Sequence, residues 1–398
     1  MKILFANKFF YRNGGSEVVM FQERDYLLGA GHEVVDFSMQ DERNFPSANS
    51  AFFVGRQDYR GGEGRLGKLK SAFSLIHSAE AVDRISALIR QTRPDLMHCH
   101  NIYHQLTSSI IGAAKKLGVP VVLTLHDYKP VCPTYNRLRD GKPCSDCLDG
   151  DFSHVLRNRC ADGSLGKSAL LYAEAIVQRA MGSYEKVDAF IAPSRYMQES
   201  IAHRVPGDRI KLLYNGIDTK AVQGSGADDG YVLFLGRLVK EKGVETLLKA
   251  HAISVAGWRL VVAGTGPLGD DLKAKYNPSN FVGYIAGDAL KAMIDQASVV
   301  VVPSEWYENC PMSVLEAMTY GKPVVGSRMG GIPELVEDGK TGLLYEAGNV
   351  AELASILDRL MSSAELRKQM GMSARQRAET VFSLDLHNAG LMDIYKSL

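Results

Sequence analysis

Residues 301–334, VVPSEWYENCPMSVLEAMTYGKPVVGSRMGGIPE, decide how the whole chain is read. The stretch opens at the end of an unbroken valine run, 299–302, which reads as a buried strand stopped by Pro303. Two glutamates follow, Glu308 and Glu316, with Pro311 between them. Proline favours the first helical position, where its missing N–H would have no partner in any case. A helix is therefore expected to start at Pro311, with Cys310 as its cap, and a further strand at 323–325. Glu308 then stands in the loop before the helix and Glu316 on its second turn. Cysteine is a poor cap acceptor, so the amides of Met312 and Ser313 and the positive end of the helix dipole stay available. An anion is the natural occupant of such a helix start.

The alternation of strand and helix continues in both directions. Upstream, strands are expected at 2–6, 33–37, 96–98, 120–125 and 189–192, with helices at 15–28, 79–91 and 106–117. Residues 214–230, YNGIDTKAVQGSGADDG, lack periodicity and read as a connection. Beyond it come strands at 231–235, 259–263, 280–282 and 342–345. Helices are expected at 243–253, 290–296, across 350–380 and at 384–396. Apolar strands separated by helices imply parallel sheets covered on both faces. The reading is α/β: two Rossmann-like doubly wound domains across a cleft, residues 1–215 and 231–380, joined by 216–230.

Composition agrees with this class. A chain of 398 residues suits two domains, and 45% hydrophobic residues, 23% charged residues and a net charge of +1 describe a soluble protein with no nucleic-acid partner. No apolar run approaches the roughly 18 residues of a membrane span, and the first residues are too short an apolar run for a signal peptide. The expectation is the cytoplasm. A basic glycine-rich loop with Arg56, Arg60, Arg65, Lys68 and Lys70 is either a solvated loop or a peripheral contact with the inner face of an anionic membrane.

Several motifs fall at the carboxyl ends of strands. Arg237 and Lys242 in GRLVKEKG follow the strand 231–235, where a fork and a point charge suit a diphosphate; the plainer reading is a charged turn. Gly14 and Gly15 follow the first strand, and paired glycines suggest close approach of backbone to a ligand. Gly264 opens GTGPLG, a formal dinucleotide pattern weakened by Pro267, and reads as a glycine turn near a nucleotide. His126, with Asp127, ends the strand 120–125, where it can hydrogen-bond a substrate hydroxyl or stabilise developing charge; His98, His100 and His104 end the preceding strand. The Asp149-x-Asp151 pair is a pattern that chance supplies. Cys132, Cys144, Cys147 and Cys160 lie in one loop-rich insertion, where two readings stay open: a structural zinc site and four unrelated thiols.

Taken together, these residues resemble a retaining glycosyltransferase of family 4, with the two-domain GT-B fold. The most specific element is Glu308-x7-Glu316 and the run LEAMTYGKPVVGSRMGGIPELVEDGKTGLL; GRLVKEKG, YNGID, the paired N-terminal glycines and the His126 strand end also match. The resemblance implies a nucleotide-sugar donor, linked through UDP, GDP or ADP, and no catalytic metal. It implies that Arg237 and Lys242 grip the diphosphate, that Glu316 bonds the ribose, and that Glu308 contacts the transferred sugar. Met312 and Ser313 would present amides, His126 would face the reacting centre, and Gly15 would let its loop close on the phosphates. The last helix, within 381–398, would cross back to the N-terminal domain. Asn309-Cys310-Pro311 departs from the family's usual Gly-Phe-Gly.

The implied reaction transfers a sugar to a saccharide or lipid-linked glycan, in surface polysaccharide synthesis. Two other readings compete with it. A nucleotide-sugar epimerase of similar fold leaves the paired glutamates unexplained, and a non-catalytic nucleotide-sugar-binding subunit leaves the intact diphosphate grip without purpose.

Overall fold

Alternate residues of each central strand feed opposite faces of two parallel sheets. In the first strand Leu4 and Ala6 enter one apolar cluster, Ile3 and Phe5 another. In the first strand of the second half, Val232 and Phe234 pack on one side, Tyr231 and Leu233 on the other. This period of two, with both faces apolar, is what a sheet covered by helices on both sides demands. The computed structural model describes residues 1–56 and 74–398.

The N-terminal half holds β1 (Lys2–Ala6), β2 (Glu33–Phe37), β3 (Leu96–Cys99), β4 (Val121–Thr124), the small hairpin β5 (Leu138–Arg139) and β6 (Lys142–Pro143), β7 (Ala189–Ala192) and β8 (Ile210–Leu212). The second half holds β9 (Tyr231–Leu235), β10 (Arg259–Ala263), β11 (Phe281–Gly283), β12 (Val299–Val302), β13 (Val324–Ser327) and β14 (Gly342–Tyr345). The first sheet runs β2-β1-β3-β4-β7-β8 and the second β11-β10-β9-β12-β13-β14, with every pairing parallel. The order of connection reverses between β1 and β3 in one sheet and between β9 and β12 in the other. Those reversal points, at the carboxyl ends of the strands, are where such sheets bind ligands.

The last helix, Leu384–Lys396, does not belong to the sheet that precedes it. Leu391, Met392, Ile394 and Tyr395 join Ile3, Phe5, Met20 and Leu27 in the core of the N-terminal half. Burying a side chain of this size contributes about 1.5–3 kcal/mol, so the crossing helix ties the two halves together. At its start Ile217 bridges to Ser383, with the Leu384 amide donating to Ile217 O at 2.9 Å.

Element boundaries depart from the sequence reading where a single residue overrides periodicity. The helix expected at Pro311 spans Met312–Thr319, because Pro311 has φ −66° and ψ 121°, an extended conformation that makes it the cap. Cys310 is buried in the core, its carbonyl taken by Asn215 Nδ2 at 3.0 Å. The strand expected from Pro323 begins at Val324. The helix expected from residue 106 begins at Ser109, after Thr107 takes φ +60°. The helices Leu165–Ala180, Arg195–Ala202 and Gly269–Lys275 are additions to the sequence reading. Arg60, Arg65, Lys68 and Lys70 of the basic loop lie outside the described residues.

Candidate active site

The loops that leave β9 and β12 are locked together before any ligand is considered. Gly243 has φ +65°, and a Cβ there would lie 1.8 Å from Pro303 O, so only glycine lets these two backbones meet. The Glu305 amide donates to Glu241 O at 2.8 Å across the same contact. A second clamp comes from Gly330 and Gly331: the Gly331 amide donates to Glu308 O at 2.7 Å, and a Cβ on Gly330 would lie 2.1 Å from that oxygen. The loop carrying Glu308 is thereby gripped from both sides. Gly330 and Gly331 were visible in the sequence only as a pair of glycines, without a partner.

Within this frame Lys242 and Glu308 meet directly. Lys242 Nζ lies 2.6 Å from Glu308 Oε1, and the Ser304 hydroxyl donates to the same oxygen at 2.6 Å. Burial by itself would raise the Glu308 carboxyl, but the Lys242 ammonium and the donated hydrogen bonds outweigh it and hold the group below its ordinary value. Glu308 is thus an ionised, oriented carboxylate. Lys242 also lies 5.5 Å from the centroid of the Trp306 ring. Arg237 is exposed at the end of β9 and forms no ion pair among the described residues.

The helix Met312–Thr319 starts four residues after Glu308. The Val314 amide bonds Pro311 O, while Met312 and Ser313 occupy the first positions, whose amides have no intrahelical acceptor. Across from them stands the turn after β1: a Cβ on Gly15 would lie 3.5 Å from Met312 Cγ. Gly14 caps the helix Gly15–Gly29 with extended backbone. Glu316 stands one turn further along, and burial pushes its carboxyl up to about 7, with no charged partner to offset it. A carboxylate held in that condition is short of hydrogen-bond donors.

Gly264, expected as a glycine turn near a nucleotide, permits a close backbone contact. Its amide donates to Gly283 O at 2.7 Å, and a Cβ there would sit 1.8 Å from Gly236 O. The close approach it permits is to the backbone beneath Arg237, and so it braces that loop.

On the facing domain His126 bonds through Nε2 to His100 Nδ1 at 2.8 Å. Burial, with His100 beside it, pushes the His126 imidazole down to about 3. At neutral pH it is therefore a neutral imidazole, able to hydrogen-bond. Behind it lies a buried network. Glu23 lies 3.4 Å from both His98 Nδ1 and His100 Nε2, and accepts from His387 of the last helix at 3.0 Å. His98 also bonds Tyr395 Oη at 2.6 Å. His98 and His100 thus hold the crossing helix in place. His104 is pushed down to about 3 by burial. Asp127 accepts from the Lys129 amide at 2.9 Å, and burial raises it to about 6.

Two residues that sequence reasoning missed as functional hold the cleft's two sides at their spacing. Asn309 Nδ2 donates to Leu125 O at 2.6 Å, and its Oδ1 accepts from the Ser194 hydroxyl at 2.9 Å. Glu334 accepts from the Arg195 and Tyr196 amides at 2.7 and 2.8 Å, so a carboxylate of one domain caps a helix of the other. The segment Asn309-Cys310-Pro311 therefore faces the opposite domain with its first side chain and the core with its second. Asp149 and Asp151 close a turn, each accepting a backbone amide at 2.9 Å.

The chain is similar to known proteins in both sequence and fold. Residues 13–221 match Glycosyltransferase Family 4 and residues 217–377 match Glycosyl transferases group 1. The chain is 31% identical to the sulfoquinovosyl transferase of Arabidopsis thaliana over 303 residues, 74% of this chain and 55% of that enzyme, so it spans little more than half of that relative. Among solved structures, sucrose-phosphate synthase from Thermosynechococcus elongatus superposes with a TM-score of 0.73 at 20% identity, covering 100% of this chain and 98% of the other. Anabaena HepE in complex with UDP-glucose gives 0.70 at 19% identity, with 100% of each chain covered. The fold they share is GT-B, and with both halves matched in sequence the chain belongs to glycosyltransferase family 4.

Proposed function

We propose that the protein is a retaining glycosyltransferase that moves a sugar from a nucleoside diphosphate to a saccharide or lipid-linked glycan at the cytoplasmic face of a membrane, in surface polysaccharide synthesis. The observation that supports this reading is the Lys242–Glu308 pair at the β9/β12 reversal point, with Arg237 at the end of β9 and the helix start at Met312 opposite Gly15. In it, residues 231–380 bind the donor, and residues 1–215 with 381–398 bind the acceptor.

The chemistry follows from the charges. The bond between the anomeric carbon and the diphosphate oxygen breaks, and charge builds on the leaving group. Arg237, Lys242 and the helix start supply positive charge and N–H donors there. The acceptor oxygen bonds the anomeric carbon on the face the diphosphate leaves, and the acceptor proton passes to the departing phosphate oxygen. Glu308 stays ionised throughout, because Lys242 and Ser304 fix its charge and direction. Its role is to orient the sugar and stabilise positive charge at the ring. Neutral His126 hydrogen-bonds the sugar or acceptor, and Glu316 accepts from the ribose hydroxyls. The binding of UDP-glucose by HepE, a protein of the same fold, supports a nucleotide-sugar donor.

The test is a panel of UDP-, GDP- and ADP-sugars, scored by thermal shift and by slow hydrolysis of the donor, with the anomeric configuration of the released sugar read by NMR. One donor is expected to raise the melting temperature and to be hydrolysed with retention. No response to any donor would overturn the donor assignment, and an inverted product would overturn the mechanism.

A further inference from the structure

Four thiols from three separate segments converge beside the cleft. Cys132 follows β4, Cys144 and Cys147 follow the β5–β6 hairpin, and Cys160 follows the short helix His154–Arg157. Together with Leu148 and Val155 they line a cavity of about 20 Å³, room for a single atom or ion of water's size. All are free thiols: Cys132 Sγ lies 3.2 Å from the Thr134 hydroxyl, Cys160 Sγ 4.0 Å from His154 O, and Cys144 has the Asp146 carboxylate beside it.

The segment around them has little regular secondary structure of its own. Its strands are two residues each and its helix four. A two-residue ladder is far too short to stand by itself. Left-handed backbone is imposed on five non-glycine residues, Tyr135, Arg137, Asp140, Arg159 and Asp162. Each such residue costs free energy that local contacts must offset. Something must tie these loops, and the sequence gathers sulfur at the place where they meet.

The geometry points to a structural zinc site in which Cys132, Cys144, Cys147 and Cys160 supply four thiolates around one ion. Four sulfur ligands in tetrahedral array, two of them at C-x2-C spacing, suit Zn²⁺ above other common divalent ions. Four ligands leave no open position, so the ion acts as a staple and takes no part in sugar transfer. A bound cation stabilises the thiolate form of its sulfur ligands. Among the described residues no three of these sulfurs lie within 4.8 Å of one another. Binding must therefore draw the loops inward, which couples metal affinity to ordering of the segment.

The position makes the staple relevant to the site. Arg137, which lines the same cavity, stacks 4.4 Å from the ring centroid of Tyr307, next to Glu308. At the hairpin tip, a Cβ on Gly141 would lie 2.7 Å from Lys240 Nζ, in the Arg237 loop. The tied loops form a wall of the cleft and reach across it.

The experiment is metal analysis of the full chain purified under reducing conditions with zinc present in the growth medium, followed by exchange with cobalt. About one equivalent of zinc is expected, and the cobalt form should show the strong sulfur-to-cobalt charge-transfer and visible bands of a tetrahedral four-thiolate site. Removal of the zinc by a chelator should lower the melting temperature. The double variant Cys144→Ser with Cys147→Ser should lose the spectrum and most of the bound metal, while Cys99→Ser and Cys310→Ser should keep both. If the double variant fails to fold, the zinc content and cobalt spectrum of the unaltered chain still decide the question. Well-folded protein that holds no zinc after reconstitution, or that carries disulfides among these four cysteines by mass spectrometry, would overturn the assignment.

Discussion

Lys242 Nζ lies 2.6 Å from Glu308 Oε1, and that oxygen also accepts from the Ser304 hydroxyl. Sequence reasoning gave the two residues separate duties, one toward the diphosphate and one toward the sugar. Their contact makes them a unit; in the proposed function the lysine would bridge the leaving group and the carboxylate.

Removing the lysine should therefore disturb both duties. Lys242→Ala leaves Glu308 buried without its cation, which costs about 3 kcal/mol of stability when such a pair is broken. It should also weaken nucleotide diphosphate binding by about tenfold, or about 1.4 kcal/mol. The double variant Lys242→Ala with Glu308→Gln should recover the melting temperature and leave the affinity low. Calorimetric titration with the diphosphate separates the two effects, and an unchanged dissociation constant in Lys242→Ala would remove the lysine from the donor site. Glu308→Gln alone should lower turnover far more than donor affinity.

Glu316 should trade stability for binding. Its carboxyl is raised from an ordinary value of 4.5 to about 7. The unfolded chain therefore ionises first as pH rises. The penalty is absent below about pH 4.5, grows through the interval and is complete above about pH 7. Glu316→Gln should raise stability by about 2 kcal/mol at alkaline pH, with no gain in acid. A ribose that donates to the ionised carboxylate should bind the native protein more tightly at about pH 8 than at about pH 6. A flat affinity profile, or no stability gain in the glutamine variant, would contradict this role.

Gly15→Ala discriminates a binding role from a structural one. The added Cβ would meet Met312 Cγ at 3.5 Å, ordinary contact that the fold accepts. The melting temperature should stay within experimental error, while the methyl group occupies the gap between the β1 turn and the helix start. The KM for the donor is expected to rise about tenfold, about 1.4 kcal/mol. Equal kinetics in the variant would place the phosphates elsewhere.

Glu23 should matter to assembly of the two halves. Burial alone would raise it, but His100, His387 and His98 hold it well below its ordinary value, while Glu23 raises His387 against the effect of burial. The glutamate's contribution is present above its unfolded value and lost as pH falls through the folded one. The histidine's contribution is complete below its ordinary 6.5 and lost as pH rises through the raised value. Glu23→Gln should cost about 3 kcal/mol in mild acid, and the deficit should narrow in alkali. Thermal denaturation across pH reads this directly; a deficit independent of pH would mean packing alone is lost.

The strands and most helices were legible because both follow from local periodicity. An unbroken apolar run such as Val299–Val302 is what a strand covered on both faces requires. Local rules failed where one backbone angle decides, as at Pro311, whose extended ψ keeps it outside the helix. The helix Leu165–Ala180 was missed after the cysteine insertion; its Glu174 pairs with Lys129 at 2.7 Å, a partner far away in sequence.

By itself, the sequence determined the parallel-sheet architecture and the residue types gathered at the strand ends: Arg237, Lys242, Glu308, Glu316 and His126. Those follow from the spacing of apolar residues and from motif, which need no knowledge of what lies opposite. Only the tertiary structure decided how these groups act on one another. Burial and proximity set charge, so Glu308 is held ionised by Lys242, Glu316 is raised for want of a partner, and His126 is neutral beside His100. It also decided that Asn309 and Glu334 reach the opposite domain, because contacts between residues more than a hundred positions apart are fixed by the packing of two sheets and carry no local signal.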